Sequence, residues 1–550
     1  MNYFSSSARK SLITVLAQTE YDLLIIGGGA TGAGIALDAA ARGMSVALVE
    51  KQDFAAGTSS RSTKLIHGGL RYLKQLEIGL VREVGRERAI VHHLAPHLVV
   101  SEKMLLPLIQ GGTYGKFATS MGLMVYDVLA GVESADQRVM LSKEETMEKE
   151  PLLRTDILEG SGLYAEYRTD DARLTIEVLK TAALYHAHPI NYVEATEFLY
   201  KDDRVSGAIC RDLLDGTSFE IRARQVVNAA GPWVDELRKR NQSMNEKYLH
   251  LTKGVHIVVP HSRFPVHQSV YFDMPDGRMV FAIPRGKITY VGTTDTDYTG
   301  NKENPRTNLE DVLYLVNGVN HVFPTVNLTV EDVVSSWAGL RPLIHEEGKS
   351  ASELSRKDEI FISPTRLVSI AGGKLTGYRK MAERVVDVVA RRLGKKYQKT
   401  FKKCNTQHIT ISGGGFEDAQ DVEVFKKSVF AQLEPFGFDH WDADYLVHNY
   451  GQQTDIVLGH FLEGSDHSPL GLLLAELWFG LNFEMVQSVM DFFSRRTGRL
   501  YFDIESVRKW ETPVIEEIGK VLGWGEDRIR QEHDWVQQAI ETASIFPENK

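Results

Sequence analysis

The hydrophobic pattern is most regular near the N-terminus of the chain. Residues 22–26 form an apolar run of strand length, and the glycine-rich turn 27–32 follows directly. Residues 33–42 are rich in alanine and end at Gly43, which predicts a helix, and residues 45–49 predict a second strand. A strand, a glycine turn, a helix and a strand within about 30 residues make up a unit that binds one half of a dinucleotide.

The turn carries the G-x-G-x-x-G spacing in Gly27, Gly29 and Gly32. The first glycine permits a tight turn, the second lets a pyrophosphate approach the backbone, and the third lets the helix pack closely on the strand. Glu50, at the end of the second predicted strand, can accept hydrogen bonds from a ribose diol. A glycine turn in an unrelated α/β protein is the alternative that this motif leaves open.

Two further strand-to-glycine patterns occur far along the chain. Residues 225–231 precede Trp233, and residues 367–373 precede Lys374 and a helical stretch over 376–393. Three such turns indicate one Rossmann-like nucleotide domain of the α/β class that is assembled from discontinuous segments.

We expect three domains from this organisation. The nucleotide domain is predicted over 20–75, 155–245 and 345–400, with an inserted α+β substrate domain of mixed sheet over 76–154 and 246–344. Helical periodicity dominates over 401–550 and predicts a helical C-terminal domain. Within it, the glycine-rich residues 412–415 are interpreted as a linker, and Thr512 followed by Pro513 predicts the start of a helix.

Composition and charge exclude several classes of function. The 550 residues contain 63 basic and 73 acidic side chains, and the formal net charge of −10 argues against nucleic-acid binding. Two cysteines exclude a disulfide scaffold and a four-cysteine metal site. No metal site is predicted, and the adjacent Asp170 and Asp171 are interpreted as a solvated or capping pair.

The hydrophobic pattern does not decide whether the protein contacts a membrane. No apolar run reaches the roughly 18–20 residues that a spanning helix needs, so a cytoplasmic protein is expected. The N-terminal segment 7–18 predicts an amphipathic helix, which either docks on its own domain or touches a membrane surface.

The loops that follow the second strand distinguish FAD from NAD. Residues 51–60 are rich in small hydroxyl side chains and can follow a longer cofactor, and the turn 228–231 has no role in a simple NAD fold. We therefore predict FAD. The predicted cofactor-binding residues are Gly27, Gly28, Gly29, Thr31, Gly32, Glu50, Lys51, Thr58, Ser59, Ser60, Lys64, Ala230, Gly231, Trp233, Gly372 and Gly373.

Six segments, taken in order, resemble one known family. They are TSSRSTKLIHGGLRY at 58–72, KGVHIVVP at 253–260, GTTD at 292–295, GLRPL at 339–343, GGKLTGYR at 372–379 and DFFSRRT at 491–497. The chain is similar in these segments to the flavin-dependent glycerol-3-phosphate dehydrogenases. The resemblance implies oxidation of sn-glycerol 3-phosphate to dihydroxyacetone phosphate, with electrons passed from FAD to a membrane quinone.

Cations are the expected ligands for a phosphate group in such a reaction, because arginine forks match phosphate oxygens in pairs. Arg341 and Lys374 are predicted in the catalytic centre. Arg341 lies among apolar and glycine neighbours, which indicates a partly buried turn. Substrate binding is further predicted for Arg71, Arg285 and Arg356, although Arg285 lies in a Pro-Arg-Gly turn that could face water.

A histidine is the expected base. By strand alternation, His256 points away from Val255 and Ile257, so it is either a structural or a catalytic side chain. His67 has backbone space around it from the adjacent glycines. The resemblance places both histidines near the reacting side of the flavin, and the sequence does not decide which one is the base.

Alternative functions and partners remain open at this point. An oxygen-using glycerophosphate oxidase resembles the chain in the same motifs, and an amine or amino-acid oxidoreductase or a flavin-binding protein without turnover shares the fold. Peripheral membrane contact is expected because a quinone resides in the bilayer. A homodimer is left open.

Overall fold

A computed structural model describes residues 4–66, 78–112, 137–345 and 358–548. Its strands are β1 Glu20–Ile26, β2 Val46–Val49, β3 Leu65–Ile66, β4 Val100–Ile109, β5 Val139–Leu141, β6 Leu158–Arg168, β7 His188–Ile190, β8 Val193–Lys201, β9 Arg204–Asp212, β10 Ser218–Asn228, β11 Leu249–Pro260, β12 Ser269–Asp273, β13 Met279–Arg285, β14 Ile288–Gly292, β15 Thr296–Asp297, β16 Ser335–Ile344, β17 Asp358–Ile362 and β18 Val368–Gly372.

The α-helices of the same residues are α1 Arg9–Gln18, α2 Ala30–Ala41, α3 Ile78–Leu94, α4 Lys143–Lys149, α5 Asp171–Leu184, α6 Val234–Arg240, α7 Leu309–Val322, α8 Tyr378–Tyr397, α9 Ala419–Leu433, α10 His440–Tyr450, α11 Thr454–Glu463, α12 Pro469–Phe483, α13 Arg499–Phe502, α14 Ile504–Leu522 and α15 Glu526–Ser544. A π-helical segment, Asp491–Arg496, separates α12 from α13.

The first sheet assembles three distant parts of the chain. Its order is β17-β18-β10-β1-β2-β7, with β9 and β8 continuing from β10, and the strands from β18 to β7 are parallel. Ile26 pairs with both Val49 and Asn228, and Asn228 pairs with Ser369. The carboxyl ends of β1, β2, β10 and β18 therefore meet at one edge, which confirms the discontinuous nucleotide-binding fold.

Helices cover this sheet and explain its apolar strands. Residues Leu23, Leu24 and Ile25 of β1 are fully buried, as expected for a central parallel strand with both faces covered. Helix α2 packs against α5 and α8. Because both faces of β1 are covered, its sequence is a continuous apolar run and does not alternate.

The second sheet is mixed and contains ten strands within the part of the chain that the structure describes. Its main order is β15-β11-β14-β13-β12-β4-β6-β3, and β16 and β5 pair with β11 and β6. Strand β6 pairs antiparallel with β4, so the segment from Leu158 to Arg168 belongs to this sheet. Asp170 then caps α5, which packs against α2 of the first sheet's layer. The domain boundaries, including the placement of residues 155–168 in the nucleotide domain, stay predictions.

The C-terminal region is helical, but two local expectations for it are wrong. Pro513 lies inside α14 and does not start a helix. The apolar stripe Ile504, Val507, Val514 and Ile518 is buried along the whole helix, and its packing outweighs the roughly 3 kcal/mol that an internal proline costs.

Residues 412–415 also differ from the expectation of a linker. The Ser412 N–H donates to the Thr181 hydroxyl at 2.9 Å, and the Gly413 carbonyl accepts from the Gln452 N–H at 2.9 Å. A Cβ atom at Gly414 would lie 2.6 Å from the Leu94 carbonyl oxygen. The glycines therefore allow close packing between helices.

The N-terminal helix α1 docks on its own domain. Leu12 and Leu16 are fully buried, and the Arg9 guanidinium donates to both carboxylate oxygens of Asp212 at 2.6 and 2.9 Å. This arrangement decides against α1 as a membrane-contacting face, because its apolar side is already covered. Among the helices within the described ranges, none has the length and apolar content to cross a membrane.

Candidate active site

A cavity lies where the carboxyl edge of the first sheet meets the second sheet. Gly27, Glu50 and Gly372 line it from the first sheet, and His256 and Arg341 line it from β11 and β16 of the second. A crevice outside the carboxyl ends of parallel strands is where open α/β sheets bind their ligands.

The turn after β1 has the geometry that its glycines predict. Gly27 has φ +117°, and a Cβ atom there would lie 2.5 Å from the Ala229 carbonyl oxygen. A Cβ atom at Gly32 would collide with the Gly27 carbonyl, so this glycine lets α2 pack directly on the turn. The positive end of α2 is thereby brought to the cavity.

Polar groups around this turn are already ordered. The Ala30 N–H at the start of α2 donates to Ser59 Oγ at 2.9 Å. Glu50 Oε2 accepts from the Gly28 N–H at 2.7 Å, and its Oε1 accepts from the Gln52 N–H at 2.8 Å. Burial raises the pKa of the Glu50 carboxyl above its usual value. The carboxyl group is thus fixed in place at the end of β2, where the predicted ribose contact belongs.

Lys51 and Trp233 meet at one side of the cavity through Glu303. The Lys51 Nζ lies 2.8 Å from Glu303 Oε1 and 4.5 Å from the centroid of the Trp233 ring. The Trp233 Nε1 donates to the same carboxylate oxygen at 2.9 Å. This contact ties the loop after β15 to the nucleotide side of the cavity.

His256 forms part of the opposite wall. Its ring stacks on Trp337 with centroids 4.7 Å apart, and its Nε2 lies 3.0 Å from Thr63 Oγ1. A Cβ atom at Gly292 on the neighbouring strand would collide with the ring, so the glycine provides the space that the imidazole fills. Burial, followed by the charges of Arg341 and Lys64, holds the pKa of His256 well below its ordinary value. The imidazole is therefore held in its neutral base form.

Arg341 lies in strand β16, not in the turn that its neighbours indicated. Its guanidinium donates to Thr293 Oγ1 at 2.8 Å, to Asp295 Oδ1 at 3.1 Å and to the Thr294 carbonyl at 3.2 Å. A Cβ atom at Gly254 would collide with the guanidinium. Strand pairing and this glycine together aim the arginine into the cavity.

The structure brings most of the predicted site residues together. Lys374 lines the cavity where β18 leads into the turn Leu375–Gly377. The predicted residues that line the cavity are Gly27, Gly29, Thr31, Glu50, Lys51, Thr58, Ser59, Ala230, Gly231, Trp233, His256, Arg341, Gly372, Gly373 and Lys374.

Five predicted residues do not line it: Gly28, Gly32, Ser60, Lys64 and Arg285. The Lys64 Nζ donates to Asp171 Oδ1 at 2.5 Å and to the Ser60 carbonyl at 3.2 Å. The Arg285 guanidinium lies 3.3 Å from Asp170. Both cations are part of a buried ion cluster, and Arg285 faces that cluster and not the bulk solvent. His67, Arg71 and Arg356 fall outside the residues that the structure describes.

Arg61, Thr63 and Asp171 are among the residues of the cavity wall that the sequence did not predict as site residues. Thr63 contacts His256, and Asp171 accepts from the Ser62 N–H at 2.9 Å and so fixes the loop that carries the other two. Asp170 caps α5 as interpreted, since its carboxylate accepts from the Arg173 N–H at 3.1 Å. The length of the hydroxyl-rich loop after Thr58 is the only feature of the sequence that indicates these residues. The contact that positions the loop could not be predicted, because Asp171 lies 109 residues from Ser62 in the chain.

Comparison with known proteins defines the class. The family model "FAD dependent oxidoreductase" matches residues 22–372, and the model "C-terminal domain of alpha-glycerophosphate oxidase" matches residues 404–529. The chain therefore belongs to the family of FAD-dependent oxidoreductases. The glycine cradle at the start of α2 and the fixed Glu50 fit this cofactor, so the prediction of FAD is confirmed.

Two individual relatives show which members of the family this chain resembles. The chain is 51% identical to the aerobic glycerol-3-phosphate dehydrogenase of Bacillus subtilis (strain 168), covering 99% of each chain. It is 50% identical to the enzyme of the same name from Staphylococcus aureus (strain USA300), covering 98% of each. The resemblance to flavin-dependent glycerol-3-phosphate dehydrogenases is thereby confirmed.

Solved structures also support the similarity to glycerol-3-phosphate dehydrogenases. The glycerol-3-phosphate dehydrogenase from Bacillus halodurans complexed with FAD matches with a TM-score of 0.85 at 43% identity, over 99% of this chain and 100% of that one. L-alpha-glycerophosphate oxidase from Mycoplasma pneumoniae matches over 70% of this chain with a TM-score of 0.55 at 19% identity, which shows a shared fold alone.

Proposed function

We propose that the protein oxidises sn-glycerol 3-phosphate to dihydroxyacetone phosphate and that the electrons pass through FAD to a quinone. The observation that carries the proposal is a neutral histidine, His256, beside a fixed arginine, Arg341, in the cavity that also contains the dinucleotide turn. The names of the two bacterial relatives support the same substrate.

The residues of the cavity suit the two halves of the reaction. The C2 hydroxyl of the substrate must lose a proton while its C2 carbon loses a hydride, and bound FAD supplies the acceptor for that hydride. The neutral imidazole of His256 accepts the proton. Arg341 offers a rigid fork for a phosphate or for the substrate oxygen, and Lys374 adds a second positive charge.

The remaining predicted residues extend this proposal. His67 is the second candidate for the base, and Arg71 and Arg356 are candidates for further phosphate contacts. Arg285 is proposed to act at a distance from the substrate, because its guanidinium interacts with Asp170 in the buried ion cluster. Gly29, Thr31 and Ser59 at the start of α2 are proposed to hold the pyrophosphate of FAD, and Glu50 its ribose.

The proposed acceptor requires the protein to meet a membrane surface. Because α1 is covered by its own domain, we place peripheral attachment on the helical C-terminal region of a cytoplasmic protein. An interfacial contact binds reversibly, unlike a spanning helix. A homodimer is compatible with this arrangement.

Anaerobic flavin bleaching tests the substrate. The purified protein should lose its flavin absorbance with sn-glycerol 3-phosphate and keep it with glycine or a simple amine. The reverse result would assign the protein to amine or amino-acid oxidation.

Acceptor tests decide the second half of the proposal. A soluble quinone should reoxidise the reduced protein faster than oxygen does, and fractionation in low and high salt should show activity that moves from the membrane to the soluble fraction. Fast peroxide formation without quinone activity would instead establish an oxygen-using oxidase.

A further inference from the structure

Arg61 is a cation of the cavity wall to which no role has yet been given. It follows the turn Thr58–Ser60, and Ser59 of that turn accepts a hydrogen bond from the first N–H of α2. Its backbone packs against Gly339 of β16, where a Cβ atom would lie 2.9 Å from the Arg61 Cβ and would collide with the Arg61 carbonyl. This close approach fixes where the arginine side chain begins, between the nucleotide turn and the strand of Arg341.

Among the described residues, the Arg61 guanidinium forms no ion pair. Tyr501, Arg495 and Tyr298 are the groups that act on it most strongly, Tyr501 also by a hydrogen bond. Across residues 4–66, 78–112, 137–345 and 358–548, no carboxylate lies within ion-pair distance of it. Burial, and then the charge of Arg495, lowers the pKa of Arg61.

Three other cations of the cavity differ from Arg61 because each has a carboxylate partner. Lys51 has Glu303 at 2.8 Å, Arg341 has Asp295 at 3.1 Å and Arg240 has Glu194 at 3.4 Å. The Arg61 residue is only partly exposed to solvent. A cation partly withdrawn from water without a counter-ion is unfavourable, and a ligand that supplies the opposite charge would relieve this cost.

We propose that Arg61 binds phosphate oxygens of a ligand in this cavity. Two sources share that chemistry, the pyrophosphate of FAD and the phosphomonoester of the substrate. The position of Arg61 two residues from Ser59 suits the first source, and its contact with the strand of Arg341 suits the second. The substrate source rests on the proposed function, whereas the cofactor source rests only on the family.

The test separates the two sources by using two binding measurements. Apoprotein of wild type, Arg61→Ala and Arg61→Lys is titrated with FAD by flavin fluorescence, and KM for sn-glycerol 3-phosphate is measured on protein saturated with FAD. Arg154→Ala is the matched control, because Arg154 forms an exposed ion pair with Asp156 and neither residue lines the cavity.

For the cofactor source, Arg61→Ala should raise the Kd for FAD about tenfold or more and leave KM unchanged. For the substrate source, KM should rise by a similar factor and the Kd for FAD should stay the same. Arg61→Lys, which keeps the charge but not the fork, should recover part of either loss. An Arg61→Ala protein with both constants equal to those of Arg154→Ala would overturn the proposal.

Folding is controlled independently. Circular dichroism and the melting temperature of each apoprotein report whether it folds, and Arg61→Gln replaces Arg61→Ala if the latter does not. Tyr501→Phe removes a hydroxyl group that acts on the Arg61 guanidinium. This variant should change whichever constant Arg61→Ala changes, the Kd for FAD or the KM, by a smaller factor. If the wild type does not oxidise glycerol 3-phosphate, the proposed function fails, and the Kd for FAD alone decides whether Arg61 binds phosphate.

Discussion

At the scale of single residues, glycines determine where the charged groups of the cavity can lie. Gly254 leaves space for the guanidinium of Arg341, and Gly292 leaves space for the ring of His256. Both glycines are on strands next to the side chain that they accommodate. An alanine at either position would displace a functional group without changing any atom of that group.

The first prediction concerns Arg341. Replacing it with alanine should raise KM for sn-glycerol 3-phosphate at least tenfold, because a charge-assisted contact to the substrate is lost. The FAD content should stay the same, since Arg341 donates to Thr293, Thr294 and Asp295 of the second sheet. Steady-state kinetics and the ratio of flavin to protein absorbance provide the measurement.

Arg341→Lys is the matched variant for this experiment. It retains the charge and loses the planar fork, so its KM should lie between those of wild type and Arg341→Ala. An unchanged KM in Arg341→Ala would reduce Arg341 to a structural partner of Asp295.

The second prediction concerns the pH dependence of flavin reduction. An ordinary histidine with a pKa near 6.5 loses half of its base form at about that pH. Because burial and then Arg341 hold the pKa of His256 well below that value, its base form persists as the pH falls. The rate of anaerobic flavin reduction at saturating substrate should therefore stay level from about pH 8 to about pH 5.5.

His256→Ala should slow flavin reduction at every pH in this range. A wild-type profile with a midpoint near 6.5 would show that a different group, such as His67, accepts the proton. Stopped-flow absorbance at saturating substrate is the measurement, because it isolates reduction from substrate binding.

At the scale of elements, the π-helical segment connects the C-terminal region to the loop after β2. Both nitrogens Nη1 and Nη2 of Arg496 donate to Asp53, at 2.6 and 2.9 Å, and Arg495 Nε donates to the same carboxylate at 2.5 Å. The two guanidinium groups hold the pKa of Asp53 at about 2, against the opposing effect of burial. This contact supports the loop between Glu50 and Gly57, which lines the cofactor side of the cavity.

The third prediction follows from that contact. Arg496→Met keeps the approximate volume but leaves Asp53 buried with one guanidinium fewer, and breaking a buried ion pair in this way costs about 3–5 kcal/mol. We expect a clear drop in the melting temperature and weaker retention of FAD.

The control variant is Arg530→Ala, which breaks an exposed ion pair with Asp527 on α15. Exposed pairs contribute little, so its melting temperature should match that of wild type. Equal melting temperatures for Arg496→Met and Arg530→Ala would contradict the role assigned to the Asp53 contact.

Sequence patterns predicted the elements that are encoded locally. The parallel strands and α2 follow from apolar runs and glycine spacing within about 30 residues. The alternation of β11 is also confirmed, since Val255 and Ile257 lie in one core and Val258 in another. Such features depend on neighbours in the chain, which the sequence displays directly.

Features that depend on distant partners could not be predicted in this way. Lys64, which the sequence places at the cofactor, instead contacts the buried Asp171. The position of Pro513 is decided by packing against α15. Arg61 differs from the other arginines of the cavity because no described carboxylate lies close to it. This difference depends on tertiary structure and cannot be predicted from a local sequence pattern. Tertiary contacts override local propensity at these positions.

At the scale of the whole molecule, the cavity is shared by two sheets. Bound cofactor should therefore stabilise the contact between the two sheets as well as each sheet by itself. A ligand that binds only the folded protein adds about 2.7 kcal/mol of stability when its free concentration is 100 times its Kd.

The fourth prediction is that FAD is released by acid precipitation and that its removal lowers the melting temperature. The cavity wall formed by the described residues contains neither Cys210 nor Cys404, so we expect a non-covalent cofactor. Yellow colour in the acid supernatant and a melting curve with and without added FAD are the measurements. Flavin that stays with the precipitate would contradict the prediction.

The three-segment origin of the first sheet has a consequence for synthesis of the protein. Strands β1 and β18 both pair with β10, yet roughly 340 residues of chain separate them. At about 5–20 residues per second, β1 leaves the ribosome on the order of half a minute before β18 can complete the sheet. The nucleotide turn is thus made early, but the cavity exists only once Lys374 has emerged. Cofactor loading then follows translation, and a ribosome-stalled chain that ends before β18 should not retain FAD.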